Sequence, residues 1–181
     1  MPRTTGQVMR ELALRVRELI VAGDRYRQAV AAALGVGIPE AVTLSHLYHA
    51  GQLTPTGIAE RLGMTTASVT GLLDRLSASG YLTRSPNPRD RRSVLVTLTA
   101  PGRRDLRALC ELFATDIEEA LSGADPAQRA GLAALLDGAI AALQDRAAHP
   151  DKLAALLTAA RAGTPAEELP ESADSPENSA T

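Results

Sequence analysis

Residues 53–104, LTPTGIAERLGMTTASVTGLLDRLSASGYLTRSPNPRDRRSVLVTLTAPGRR, carry the pattern that decides the fold. Thr54 is placed to cap a helix whose first residue, Pro55, loses nothing by lacking an N–H. Ile58, Ala59 and Leu62 give that helix one apolar face, and Gly63 supplies the left-handed residue that ends it. After Met64, Thr65 is a second N-cap, its hydroxyl placed to accept from the N–H of Ala67 or Ser68. Val69, Leu72, Leu73 and Leu76 recur at helical spacing and face a core, and Gly80 closes the helix. Two helices joined by so short a turn make a helix-turn-helix. Residues 81–85 and 93–98 then read as strands, the second through the alternation Val94, Val96, Leu98. The run between them, Ser85-Pro86-Asn87-Pro88-Arg89-Asp90-Arg91-Arg92, is rich in turn formers and reads as the tip of a hairpin.

With its apolar residues turned inward, the second helix leaves Thr66, Ser68, Thr70, Gly71 and Arg75 to point elsewhere. Short hydroxyl side chains exchange hydrogen bonds with base edges and phosphates, and their methyl groups pack on thymine. The free N–H groups and the dipole at the helix start favour a phosphate. At the hairpin tip, guanidinium forks pair with phosphate and suit the negative potential of a narrow minor groove. Asp90 is out of place on such a surface unless it orients an arginine, most simply Arg92. The order of elements and the charge point to double-stranded DNA. Candidate contacts are Thr54, Thr65, Thr66, Ser68, Thr70, Arg75, Arg84, Arg89, Arg91 and Arg92. The plain alternative, a solvated amphipathic helix followed by a charged loop, accounts for each piece singly but not for their succession.

This run resembles the MarR family of winged helix-turn-helix transcriptional regulators. The matching elements are the pattern over 65–76, then Gly80-Tyr81-Leu82, Asp90-Arg91-Arg92, and Leu98-Thr99 followed by Gly102. The resemblance covers roughly residues 8–148 in helix order and is sharp between 53 and 104. It implies a homodimer on a pseudo-palindromic operator, often released from DNA by a small ligand or oxidant. It also implies that Arg92 enters the minor groove while Asp90 steadies it. Many family members carry Arg or Lys where this chain has Gly71, so an operator preference does not carry over.

Composition bounds the rest. A chain of 181 residues suits one domain plus a tail. With aromatics at only 2%, the core must be built from Leu, Ala, Val and Ile. No apolar run is long enough for a membrane span and the start is not a signal peptide, so a cytoplasmic, membrane-free protein is expected. The single cysteine excludes an internal disulfide framework. The net charge of −2 conceals a division: residues 54–104 hold eight arginines and three acids, whereas 163–181 hold five acids and no base. Local charge governs attraction to phosphate, so the global balance is no objection to DNA.

The flanking segments read as helices. Val8, Leu12, Val16, Leu19, Gly23, Tyr26, Val30 and Ala33 form one stripe, Leu106, Leu109, Cys110, Phe113, Ile117 and Leu121 a second. A third runs through Leu132, Leu135, Leu136, Ala139, Ile140 and Leu143 after the capping signature Asp125-Pro126-Ala127-Gln128. These stripes exceed what one winged domain can cover, which makes a second copy of the chain the natural partner. The expected architecture is mainly α: a winged helix-turn-helix with a two-stranded β-wing and a helical dimerisation region built from the N- and C-terminal helices. The domain spans 8–148, with its DNA-binding part at 39–98 and dimerisation helices at 8–34 and 100–148. A short extra helix at 150–162 and an acidic disordered tail at 163–181 follow.

Smaller features add less. His46 and His49 share a helix face, but only Glu40 and Asp24 stand near in sequence as further ligands, so no metal is expected. Together with Tyr26 they are candidates for a ligand cleft, as the resemblance implies, for a small-molecule effector. Cys110 lies in an apolar stripe and reads as a structural thiol sooner than a redox switch. No nucleophile–base set, paired acids or phosphate loop is visible, so neither an enzyme nor a cofactor is expected. The function expected is a sequence-specific, ligand-responsive repressor. The rival is a winged-helix protein–protein interaction module without DNA binding, whose wing would lack the positive charge seen here.

Overall fold

Most helix starts are written in a capping side chain, and the computed structural model, which describes residues 4–90 and 92–161, shows the caps Thr4, Thr54, Thr65, Thr99 and Asp125 in place. Helix α1 (Thr5–Leu34) opens with a reciprocal capping box between Thr4 and Gln7. It therefore starts three residues before the expected 8. Helix α2 (Ile38–Ala50) follows, then strand β1 (Gln52–Leu53). The Thr54 hydroxyl accepts from Gly57 N at 3.1 Å to start α3 (Pro55–Leu62), and Thr65 accepts from Ser68 N at 3.2 Å to start α4 (Thr66–Ala78). Gly63, at φ +61°, makes the turn between them, a left-handed backbone that a Cβ would disfavour. Strands β2 (Leu82–Pro86) and β3 (Val94–Leu98) lead to α5 (Ala100–Ala120), α6 (Pro126–Ala148) and α7 (Pro150–Arg161).

The wing is not only two-stranded. β1 joins it, giving the antiparallel order β1-β3-β2, with Gln52 opposite Thr97 and Leu53 opposite Val96. β2 is an edge strand, which is why Pro86 is tolerated opposite Val94 and the strand runs one residue further than expected. Tyr81 stays outside the strand. Its hydroxyl donates to Leu34 O at 2.9 Å, and its carbonyl accepts from Thr99 N at 2.9 Å.

The chain forms two units, one through Glu119 and one from Ala120 onward. In the first, Leu44 and Leu47 of α2, Ile58 of α3, Val69, Leu72, Leu73 and Leu76 of α4 and Val96 of β3 are fully buried, with Leu82, Leu98 and Leu106 beside them. Each such side chain contributes about 1.5–3 kcal/mol on leaving water, so this cluster fixes α4 against the sheet. The C-terminal end of α1 joins it through Leu34, and Ala31 nearby is buried as well. Earlier on α1, Val8, Met9, Leu12, Leu19, Ile20 and Val21 are exposed, as are Leu112, Phe113 and Ile117 on α5. In the second unit neither α6 nor α7 has a buried residue, and Leu132, Leu135, Ile140 and Leu143 are exposed. No single helix among the described residues is long and apolar enough to cross a membrane.

Candidate nucleic-acid interface

α4 presents Thr66, Ala67, Ser68, Thr70, Asp74 and Arg75 to solvent, with Gly71 half-buried. Burial of Val69, Leu72, Leu73 and Leu76 on the opposite side dictates this face. Several of its hydroxyls already hold local bonds. Thr65 and Ser68 share a hydrogen bond at 2.9 Å, and the Thr70 hydroxyl donates to Thr66 O at 3.0 Å. Those bonds fix rotamers and leave oxygen lone pairs facing outward. Thr54 is half-buried, its hydroxyl taken up in capping α3.

The wing tip is folded by its own side chains. Asn87 donates through Nδ2 to Ser93 Oγ at 2.7 Å and accepts from Arg89 N at 3.0 Å. Asp90 accepts from Arg92 N at 3.0 Å, and its carbonyl accepts from Ser93 N at 3.0 Å. Asp90 thus holds Arg92 through its main chain. This is a turn of the Asx type, which needs no charge on its partner. The side chains of Arg89 and Arg92 are exposed and have no hydrogen-bond or ion-pair partner among the described residues. Arg91 lies outside the described residues, as do residues 162–181, on which the tail expectation falls.

Two arginines expected to face DNA also hold ion pairs within the protein. Arg84 of β2 donates to Asp74 of α4 at 2.7 Å, tying the wing to that helix. Arg75 donates to the nearly buried Glu40 of α2. In the sequence Glu40 stands out only as a neighbour of His46 and His49, and Asp74 has no evident partner. Acids near arginines in the fold, but not in the chain, were the missing signal.

On the other side of α2 lies an open cleft of about 290 Å³ lined by Tyr26, Val30, Val42, His46, Leu109 and Cys110, among others. Tyr26 and His46 are thus brought together, whereas His49 is turned away and its ring meets that of Tyr48 edge-on at 5.4 Å. The Tyr26 hydroxyl donates to Leu109 O at 3.5 Å, and its ring lies 5.3 Å from Phe113. Burial pushes His46 below the usual histidine range, with the charges of Arg61 and His49 acting in the same direction. Burial, and then Glu111, push the Cys110 thiol up, which keeps it protonated and poorly nucleophilic. No group of three or more metal-ligating side chains occurs among the described residues.

A family model described as MarR family matches residues 34–93, the span from the end of α1 to the wing. The winged-helix segment is a MarR-family domain. Among curated relatives, the uncharacterized HTH-type transcriptional regulator YfiV of Bacillus subtilis is 35% identical over 96 residues, 53% of this chain and 60% of the relative. The multiple antibiotic resistance protein MarR of Salmonella typhimurium is 42% identical over 62 residues, 34% of this chain and 40% of the relative. The chain therefore spans less than two thirds of the length of these curated relatives. Among solved structures, RV1404 from Mycobacterium tuberculosis matches with a TM-score of 0.62 at 27% identity, covering 78% of this chain and 97% of that one. A mutant MarR from E. coli complexed with operator DNA matches with a TM-score of 0.52 at 25% identity, covering 76% and 99%. The MarR-family domain thus contains both the hydroxyl face of α4 and most of the arginine-bearing wing.

Proposed function

We propose that this chain is a sequence-specific DNA-binding transcriptional regulator, acting as a homodimeric, ligand-responsive repressor on a pseudo-palindromic operator. One observation carries the reading: the exposed hydroxyl face of α4 stands beside a wing whose Arg89 and Arg92 side chains are uncommitted. A guanidinium held out on a rigid loop is suited to a minor groove, while the α4 N-terminus and its hydroxyls suit the adjoining major groove. The operator complex of the MarR relative lends this support.

Dimerisation is supported by apolar residues exposed on single elements: Leu12 and Leu19 on α1, Phe113 and Ile117 on α5, Leu135 and Ile140 on α6. Such surface is costly unless a partner covers it. An effector is supported by the cleft beside α2, whose lining is mainly apolar with a few polar groups, including Tyr26 and His46. The test is selection of bound duplexes from a random pool with the full chain, followed by footprinting. An enriched, two-fold symmetric sequence with half-sites roughly 10–11 base pairs apart is expected. Failure to enrich any sequence, or protection of a single asymmetric site, would overturn the reading.

A further inference from the structure

Arg75 lies on the solvent side of the recognition helix, yet its guanidinium is held from within the fold. Nε and Nη2 both donate to one carboxylate oxygen of Glu40, 35 residues away in sequence, at 2.9 and 2.5 Å. The two members are unequal: the Glu40 side chain is 10% exposed and that of Arg75 66%. A desolvated carboxylate is costly without a partner, so Glu40 is the member that needs the pair. Glu40 is also the more enclosed member. It occupies the first turn of α2, where the helix dipole favours an acid, and a Cβ at Gly37 would collide with its carboxylate. Burial of Val69, Leu72, Leu73 and Leu76 sets the coarse orientation of α4, and two bonds from its outer side to Glu40 on α2 add a restraint on its rotation about its own axis. That rotation decides which residues of the hydroxyl face reach a groove.

We propose that Arg75 is a positioning residue: held by Glu40, it restrains the rotation of the recognition helix and does not itself touch DNA. This rests on the DNA-binding reading above and departs from the simplest view of an exposed arginine on such a helix, a phosphate contact. The two roles predict opposite signs when Glu40 is removed. A phosphate contact freed from a competing acid binds DNA more tightly, whereas a positioning residue deprived of its anchor binds more weakly.

The experiment measures the affinity of the full chain for a duplex enriched by the wild type, over a range of salt concentrations. Glu40→Ala should weaken binding by roughly tenfold, Arg75→Gln by a similar factor, and the double variant no further than either. The slope of log affinity against log salt should be unchanged in Arg75→Gln, since no phosphate contact is lost; a contact residue would reduce it by about one. Glu40→Gln preserves shape and one acceptor, so it serves if the alanine variant unfolds, and should show a smaller loss. Tighter binding by either Glu40 variant, or a shallower salt slope in Arg75→Gln, overturns the proposal. A wild type that enriches no duplex overturns the DNA-binding reading instead. The anchor is then judged by amide hydrogen exchange: Glu40→Gln must speed exchange over residues 72–78, and unchanged protection there overturns it.

Discussion

Replacing Gly102 by alanine sets two known effects against each other at one buried position. Gly102 lies in the first turn of α5, where alanine would ordinarily stabilise a helix by about 0.5–1 kcal/mol. Here a Cβ would stand 2.8 Å from the carbonyl oxygen of Tyr81 and 3.3 Å from both Thr99 Oγ1 and Tyr81 Cδ1. The oxygen is backbone, and it is tied down on several sides. It accepts from Thr99 N at 2.9 Å, the Tyr81 hydroxyl donates to Leu34 O at 2.9 Å, and the Thr99 hydroxyl donates to Gly80 O at 2.7 Å. Relief must therefore come from shifting the start of α5 off the wing, an overpacking cost of about 1–3 kcal/mol. The clash wins: the expected net loss is about 1–2 kcal/mol, lowering the melting temperature by roughly 2–8 °C. Urea and thermal denaturation of Gly102→Ala should be compared with Gly131→Ala in α6, where an added Cβ meets nothing within 4 Å. The control should be neutral or stabilised. A Gly102→Ala variant as stable as wild type would refute the close approach.

Other outcomes follow from the wing, the exposed stripes and the cleft. Arg92→Ala should cost no measurable stability, since its side chain has no partner among the described residues, but should weaken operator binding by about 1–3 kcal/mol in an electrophoretic shift or anisotropy titration; unchanged affinity would remove Arg92 from the interface. Leu135 is 72% exposed in the single chain, so Leu135→Glu should leave the protomer folded while light scattering shows loss of the dimer. A wild type that is monomeric at micromolar concentration would refute the dimer. His46 is held below its ordinary value of 6.5 in the folded state, so the unfolded chain takes up the proton first. Its contribution to stability is therefore present above about pH 6.5 and lost as the pH falls below it. His46→Gln should flatten the pH dependence of unfolding in that range, and an unaltered profile would show that other groups set it.

Legibility in the sequence tracked distance along the chain. α3, the turn at Gly63, α4 and the hairpin were readable because Thr54, Pro55, Thr65 and Gly80 act on neighbours within four residues. Thr4 and Gln7 form the same kind of signal, so the start of α1 at Thr5 is legible from its cap, although its apolar stripe begins only at Val8. β1 was not legible: two residues show no alternation, and Gln52 and Leu53 are strand only because β3 lies beside them. The pairing of Arg75 with Glu40 and of Arg84 with Asp74 depends on how α2, α4 and β2 pack, which side-chain periodicity does not encode. The cleft was half-legible. Tyr26 and His46 meet there, but His49, one turn on, faces Tyr48.

The wing tip separates the residues that shape it from those it displays. Asn87, Asp90 and Ser93 make the side-chain bonds that close the loop, and from positions 89 and 92 they take only the main-chain N–H. Any residue but proline can supply that N–H. The tip is therefore a mount with exchangeable heads, on which evolution or an engineer can substitute 89 and 92 freely and retune what the loop grips without having to refold it.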